Sequence, residues 1–277
     1  MNFGTGKVAR ANGIRQHYLH FPGVGPRVLI VPGIVSPAIL WSHVGRWLMS
    51  DHDCFVLDVR GRGLSESGPH LDYGLDACAE DVAAFIRETH IGSATLIGHS
   101  MGARIALRMS TKAPELVRTL VLVDPPTSGP GRRTYPIPIA RTLGLLKASH
   151  RGEAAEALHS SMAAPWPEDL QRLRAEWLST CDERAVYAAY EDFHSQDMFA
   201  DLARTECPVS LICAGEDGVV SDTDIEEMRH LRPDMEAFRL AGAGHQLQAE
   251  NFAGFSELLR AALRHQYPSN QEKKIET

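Results

Sequence analysis

Basic blocks, paired cysteines and long apolar runs are all missing from this chain of 277 residues. Its 28 Lys and Arg face 35 Asp and Glu, for a formal net charge of −7. That balance argues against a nucleic-acid partner. It does not argue against a small anionic substrate, because a local arginine outweighs a distant net charge. No stretch approaches the roughly 20 apolar residues of a transmembrane helix, so no membrane partner is expected. Met1 to Arg10 lacks the apolar core of a secretory signal. The five cysteines, at 54, 78, 181, 207 and 213, form no C-x-x-C pair. Cys54 and Cys213 lie in apolar runs, where a buried free thiol is the expected state, in keeping with a reducing, cytoplasmic setting. No H-E-x-x-H or comparable spacing occurs, so neither a metal nor a cofactor is expected. Gly61-x-Gly63 begins a phosphate-loop pattern, but residue 66 is glutamate and no Gly-Lys-Ser/Thr follows.

What is present is the composition of a globular protein, 44% hydrophobic and 23% charged, long enough for one large α/β domain. Val8 to Leu19 alternates loosely around Asn12-Gly13, a hairpin signal. Val28–Val31, Cys54–Leu57, Thr95–Gly98, Leu120–Val123 and Val209–Cys213 are continuous apolar runs. Such runs read as parallel strands buried on both faces. Helical patterns alternate with them at Leu40–Met49, Leu75–Glu88, Met101–Ser110, Thr223–Leu231 and Phe252–Leu263. From Pro125 to about Thr205 the rhythm breaks into an irregular linker and then helical patterns at Glu153–Met162, Pro167–Leu178 and Glu183–Asp192. The spacing therefore predicts a core of residues 1–124 and 206–268, a helical cap over 125–205, and a frayed polar tail over 269–277.

The most specific signal is Gly98-His99-Ser100-Met101-Gly102, which follows an apolar run and opens a helical one. A bare G-x-S-x-G arises by chance in on the order of one in ten chains of this length. The flanking strand and helix make it a nucleophile elbow, with Ser100 on a strained turn at a helix start. His245, in Gly242-Ala243-Gly244-His245 before the final helix, is the candidate base, whereas His99 reads as structural support. Two aspartates stand at strand ends. Asp124 closes Leu120–Val123, and Asp217 lies in Gly215-Glu216-Asp217-Gly218, one residue short of the usual G-x-x-D slot. Asp124 is favoured as the acid, with Asp217 as the alternative. The N–H of Met101 and that of Ile34, in Pro32-Gly33-Ile34, are the candidate oxyanion donors.

With the elbow, the Asp58-Val59-Arg60-Gly61-Arg62-Gly63-Leu64-Ser65 loop, Asp124 and the late Gly-His in place, the chain resembles the α/β-hydrolase superfamily over nearly its whole length. Arg10–Tyr18, Asp72–Asp76, Val123-Asp124-Pro125-Pro126 and Ser128–Arg133 are similar to the N-formylmaleamate deformylases of bacterial nicotinate breakdown. Their acid follows the earlier strand, as Asp124 does. The resemblance implies hydrolysis of a formyl amide to an amide and formate by Ser100, His245 and Asp124. It also implies a narrow pocket beside Ser100 and a cation for the substrate's carboxylate. Arg132 and Arg133, next to Tyr135, are candidates for that contact, and Ser36 is a weaker polar one. Gln246–Ala249 departs from the more apolar, proline-containing stretch expected after the histidine. An esterase or carbon–carbon bond hydrolase with the same triad, or a ligand receptor on a hydrolase scaffold, remain open readings at this point.

Overall fold

Asn12 and Gly13 both take positive φ, 52° and 73°, the turn that joins two twisted strands most tightly. They connect β1 (Thr5–Ala11) to β2 (Ile14–Phe21) in an antiparallel hairpin. The structure is a computed structural model that describes residues 4–161, 166–215 and 218–265. The predicted frayed tail and Asp217 lie outside the described residues.

After the hairpin come β3 (Arg27–Val31), α1 (Ser42–Leu48), β4 (Asp53–Leu57) and α2 (Leu75–Glu88). Next are β5 (Ala94–His99), α3 (Met101–Lys112) and β6 (Val117–Val123). The eight-stranded sheet has the order β1-β2-β4-β3-β5-β6-β7-β8, with β7 and β8 defined below. From β4 across to β8 every pairing is parallel, and β2 meets β4 antiparallel. The continuous apolar runs follow from this. Leu29 and Val31 pack toward the layer that holds α2 and α3, while Val28 and Ile30 pack toward α1 on the other face. A strand covered on both faces has no solvent side on which to place polar residues.

Between β6 and β7 the chain forms α4 (Ile139–His150), α5 (Ala154–Ser161), α6 (Glu168–Trp177), α7 (Glu183–Ser195) and α8 (Met198–Arg204). Two of these were not read from sequence. The α4 stretch follows a proline-rich lead-in, and α8 is too short for its periodicity to stand out. α8 buries Met198, Phe199 and Leu202 in the sheet-face core. Leu143 and Leu146 of α4 instead form a separate small core with Leu178, Cys181 and Val186. The chain then continues through β7 (Val209–Ala214), α9 (Asp222–Leu231), β8 (Glu236–Leu240), the short α10 (Leu247–Glu250) and α11 (Phe252–His265). Among the described residues no helix is long and apolar enough to cross a membrane.

Buried Arg104 of α3 ties the irregular segment after β6 to the end of α7. Its guanidinium donates to the carbonyls of Pro126, Ser128, Asp192, Phe193 and Gln196. That explains why Pro125 to Gly129, with no regular structure, is nevertheless buried: its polar backbone has a fixed partner.

Candidate active site

Ser100 sits between β5 and α3 with φ 53° and ψ −120°. An L-residue pays for that geometry, and the surroundings hold it there. Its N–H donates to the Val123 carbonyl at 2.9 Å. A Cβ at Gly102 would collide with the Val31 carbonyl, so only glycine lets α3 start this close to β3. Asp124, at the end of β6, also takes a positive φ, 42°. This turns its carboxylate toward the loop after β8.

That loop delivers His245. Its Nδ1 lies 2.7 Å from Asp124 Oδ2, and its Nε2 lies 3.0 Å from Ser100 Oγ. Serine, imidazole and carboxylate are thus in one hydrogen-bonded line. Burial opposes the charge on Asp124. The hydrogen bond and charge of His245 and the N–H groups of Val219 and Ala214 outweigh burial and hold the carboxyl below its ordinary value. The carboxylate is fully inaccessible to solvent, so its charge acts on the imidazole with little screening. His99 braces the other side. Its Nε2 lies 2.8 Å from the His245 carbonyl oxygen. Burial, followed by the neighbouring charge of His245, pushes its pKa down to about 3, so it stays neutral.

The G-x-x-D slot that sequence patterning left without an acid now has a physical reading. Gly218 occupies it, and a Cβ there would stand 3.2 Å from Asp124 Oδ1. The missing side chain leaves room for the carboxylate that arrives from β6.

Met101 is the first residue of α3, so its N–H has no acceptor within the helix. Ile34 and Gly33 line the same cavity as Ser100. Arg62, hidden in the glycine-rich loop and read from sequence only as a marker of the fold, links these two elements. Its Nε donates to the Ile34 carbonyl at 3.0 Å, and its Nη2 reaches Met101 Sδ at 3.2 Å and the Ala185 carbonyl at 2.8 Å. One buried guanidinium therefore joins the loop after β3, the elbow and α7.

The cavity around Ser100 measures about 670 Å³, roomier than the narrow slot expected for a formyl group alone. Tyr135 lines it, and its hydroxyl meets the Ser100 side chain; burial raises this phenol's pKa. Ser36 lines it as well, with Oγ accepting from Trp41 Nε1 at 3.2 Å. Arg132 and Arg133 do not line it, which corrects their expected role as carboxylate contacts. Arg132 forms a bidentate pair with Glu227, at 2.8 and 2.7 Å, and stacks on Phe199. Arg133 is bound by Asp224, Thr127 and the Val219 carbonyl. Both guanidiniums are drawn toward the carboxylates of α9, away from Ser100. The cavity's arginines are Arg141 of α4 and Arg174 of α6, which the sequence reading passed over. Among the described residues no group of three or more His, Cys, Asp or Glu side chains gathers as a metal site requires.

Residues 26–252 match the family of the alpha/beta hydrolase fold. The chain belongs to this family. N-formylmaleamate deformylase of Pseudomonas putida is 45% identical over 253 residues, spanning 91% of this chain and 94% of that protein. A crystal structure of N-formylmaleamic acid deformylase from Pseudomonas putida is similar with a TM-score of 0.88 and 42% identity, over 92% of this chain and 100% of that one. The 2-(acetamidomethylene)succinate hydrolase of Mesorhizobium japonicum is 28% identical over 80% of this chain and 82% of its own length. In this α/β hydrolase the acid in contact with the histidine stands after β6, at Asp124.

Proposed function

We propose that this α/β hydrolase cleaves the formyl amide of N-formylmaleamate, giving maleamate and formate through a formyl-enzyme. The observation that carries the reading is the unbroken line Ser100–His245–Asp124 in a chain 45% identical to a deformylase of that substrate. In this mechanism His245, oriented by Asp124, takes the Ser100 proton as Oγ attacks the formyl carbon. The N–H groups of Met101 and Ile34 receive the oxyanion, a contact whose loss typically costs roughly 3 kcal/mol of barrier. His245 then protonates the departing amide nitrogen, which leaves more readily than an amine because it is also acylated by the maleate carbonyl. Water deprotonated by the same imidazole attacks the formyl ester and releases formate. The residues named supply all of this chemistry, and the partner is a small carboxylated amide. The free, mostly buried thiols at Cys54, Cys78, Cys181, Cys207 and Cys213 support a cytoplasmic setting.

The test is formate release from synthetic N-formylmaleamate, with Ser100→Ala as the blank. Serine-dependent multiple turnover is the expected result. Hydrolysis of an aryl ester without formate from N-formylmaleamate would discard this substrate. Ligand binding without turnover would turn the reading toward a receptor.

A further inference from the structure

We infer that Arg174, on α6, anchors the substrate's carboxylate in the Ser100 cavity and so sets specificity for an anionic amide; this rests on the deformylase reading. The inference starts from how the other buried guanidiniums are used. Arg60 pairs with Asp81, Arg232 with Asp234, and the half-buried Arg132 with Glu227. Arg62 and Arg104 have no carboxylate in contact but donate to three and five backbone carbonyls respectively, with only Arg104 Nε left unbonded. Arg174 has neither kind of partner among the described residues. Its Nε is inaccessible to solvent and bonded to nothing. Its Cζ stands 4.5 Å from the centre of the Trp166 ring, and both residues line the cavity.

Arg174 is half-buried with its Nε sealed from solvent, and such a cation with no carboxylate in contact is costly unless something arrives to meet it. Burial, and after it the like charge of Arg141, lowers the pKa of Arg174 to about 10, which still leaves it charged at neutral pH. Among the described residues Glu250 is the cavity's carboxylate-bearing wall residue; its charge favours the charged form of Arg174 without touching it, and its Oε2 already accepts from the Gly244 N–H at 2.6 Å. Arg141 also lines the cavity but is the more exposed of the two arginines. Among the described residues the wall is therefore net cationic, in a chain of net charge −7. The Trp166 face fixes the plane of the guanidinium. A fixed planar fork suits bidentate grip of a carboxylate, which a lysine cannot reproduce.

The test compares N-formylmaleamate with its carboxamide counterpart, in which a neutral amide replaces the carboxylate. Formate release is followed in the unmodified enzyme, Arg174→Met and Arg174→Lys. Arg174→Met should lower the preference for the carboxylate, as the ratio of the two kcat/KM values, by roughly 10–100-fold, chiefly through KM. Arg174→Lys should recover part of it. A parallel fall for both substrates would mean that Arg174 only packs against Trp166, and an unaltered ratio would also overturn the assignment. Should the unmodified enzyme release no formate from either compound, the deformylase reading fails instead. Calorimetric titration of maleate into Ser100→Ala protein, with and without Arg174→Met, then decides the anchor separately. Weaker binding in the double variant supports the inference, and equal binding overturns it.

Discussion

Replacing Asp124 with asparagine removes one charge from the relay and preserves its shape. Asparagine tolerates positive φ nearly as well as aspartate, so the 42° backbone at this position need not change. Its carbonyl can still accept from the N–H of Ala214 or Val219, as the carboxylate does at 3.3 and 3.2 Å. What changes is the partner of His245. A carboxylate 2.7 Å from Nδ1 stabilises the imidazolium by about 6 kcal/mol at an effective dielectric of about 20. A side-chain NH₂ in the same place donates to Nδ1 instead and places the ring proton on Nε2. His245 would then point a proton at Ser100 Oγ and could not take one from it. Both effects predict a fall in kcat of roughly 10⁴-fold. The assay is initial formate release by Asp124→Asn, with near-ultraviolet circular dichroism to confirm native packing. Activity within about a hundredfold of the unmodified enzyme would refute the reasoning. Asp217→Asn serves as the counter-test, and its abolishing hydrolysis while Asp124→Asn remained active would move the acid to the later loop.

Gly102→Ala should destabilise the protein by about 3 kcal/mol or more, because the new Cβ meets the Val31 carbonyl and overpacked backbone has little room to relax; chemical denaturation would show it, and a midpoint equal to that of the unmodified chain would contradict it. Arg62→Met should leave the buried carbonyls of Ile34, Arg60 and Ala185 without their donor, lowering stability by roughly 1–3 kcal/mol for each carbonyl that finds no water. The same variant should lower kcat by about tenfold or more through the loosened oxyanion loop, with KM moving less; an effect on stability alone would remove Arg62 from the positioning role. The pH dependence of stability should carry the signature of His99. Its folded pKa is near 3 against an ordinary 6.5, so the unfolded chain binds a proton first as pH falls. Stability is therefore full above 6.5, declines through the window from 6.5 to 3, and has lost about 2 kcal/mol at pH 5 from this group. His99→Gln, whose amide can still donate to the His245 carbonyl, should lose that share of the decline between pH 7.5 and 5 in urea titrations, and equal declines would show that His99 is not its source.

The parts of this molecule that could be read from sequence are those where local chemistry and the final contact coincide. Apolar runs such as Val28–Val31 are buried on both faces, so their pattern is the same before and after folding. The elbow is legible because strand, strained serine and helix start are consecutive in the chain. Asn12-Gly13 is legible because the turn's φ values belong to those two residues alone. Asp124 needed a further argument, since its partner His245 is 121 residues away and Gly218 makes room for it from a third segment.

The arginines mark where such reading stops. Arg132 and Arg133 sit at the entry to the helical insertion, and nothing in their local sequence names Glu227 or Asp224, which lie over 90 residues further on. An arginine's reach is long and its partner is chosen by whichever carboxylate the fold brings near. Arg174 has no motif at all. It lies on an ordinary amphipathic helix, and in sequence it is indistinguishable from Arg172, which forms the i,i+4 pair with Glu176. The two differ only in the direction α6 faces. Leu170 and Leu173 turn into the core beside Trp41, and this rotates Arg174 toward the cavity and Arg172 toward solvent. If Arg174 is the anchor proposed above, specificity is set by how α6 is rolled, whereas the reaction chemistry is set by Ser100, Asp124 and His245 in the turns that follow strands β5, β6 and β8. A relative could keep Ser100, Asp124 and His245 and still change substrate through a shift in the α6 apolar stripe. Moving the arginine from 174 to 175 by paired substitution, with the stripe intact, should therefore cost the carboxylate preference and leave the serine relay formed; retained preference in formate-release kinetics would show that the roll of α6 does not decide it.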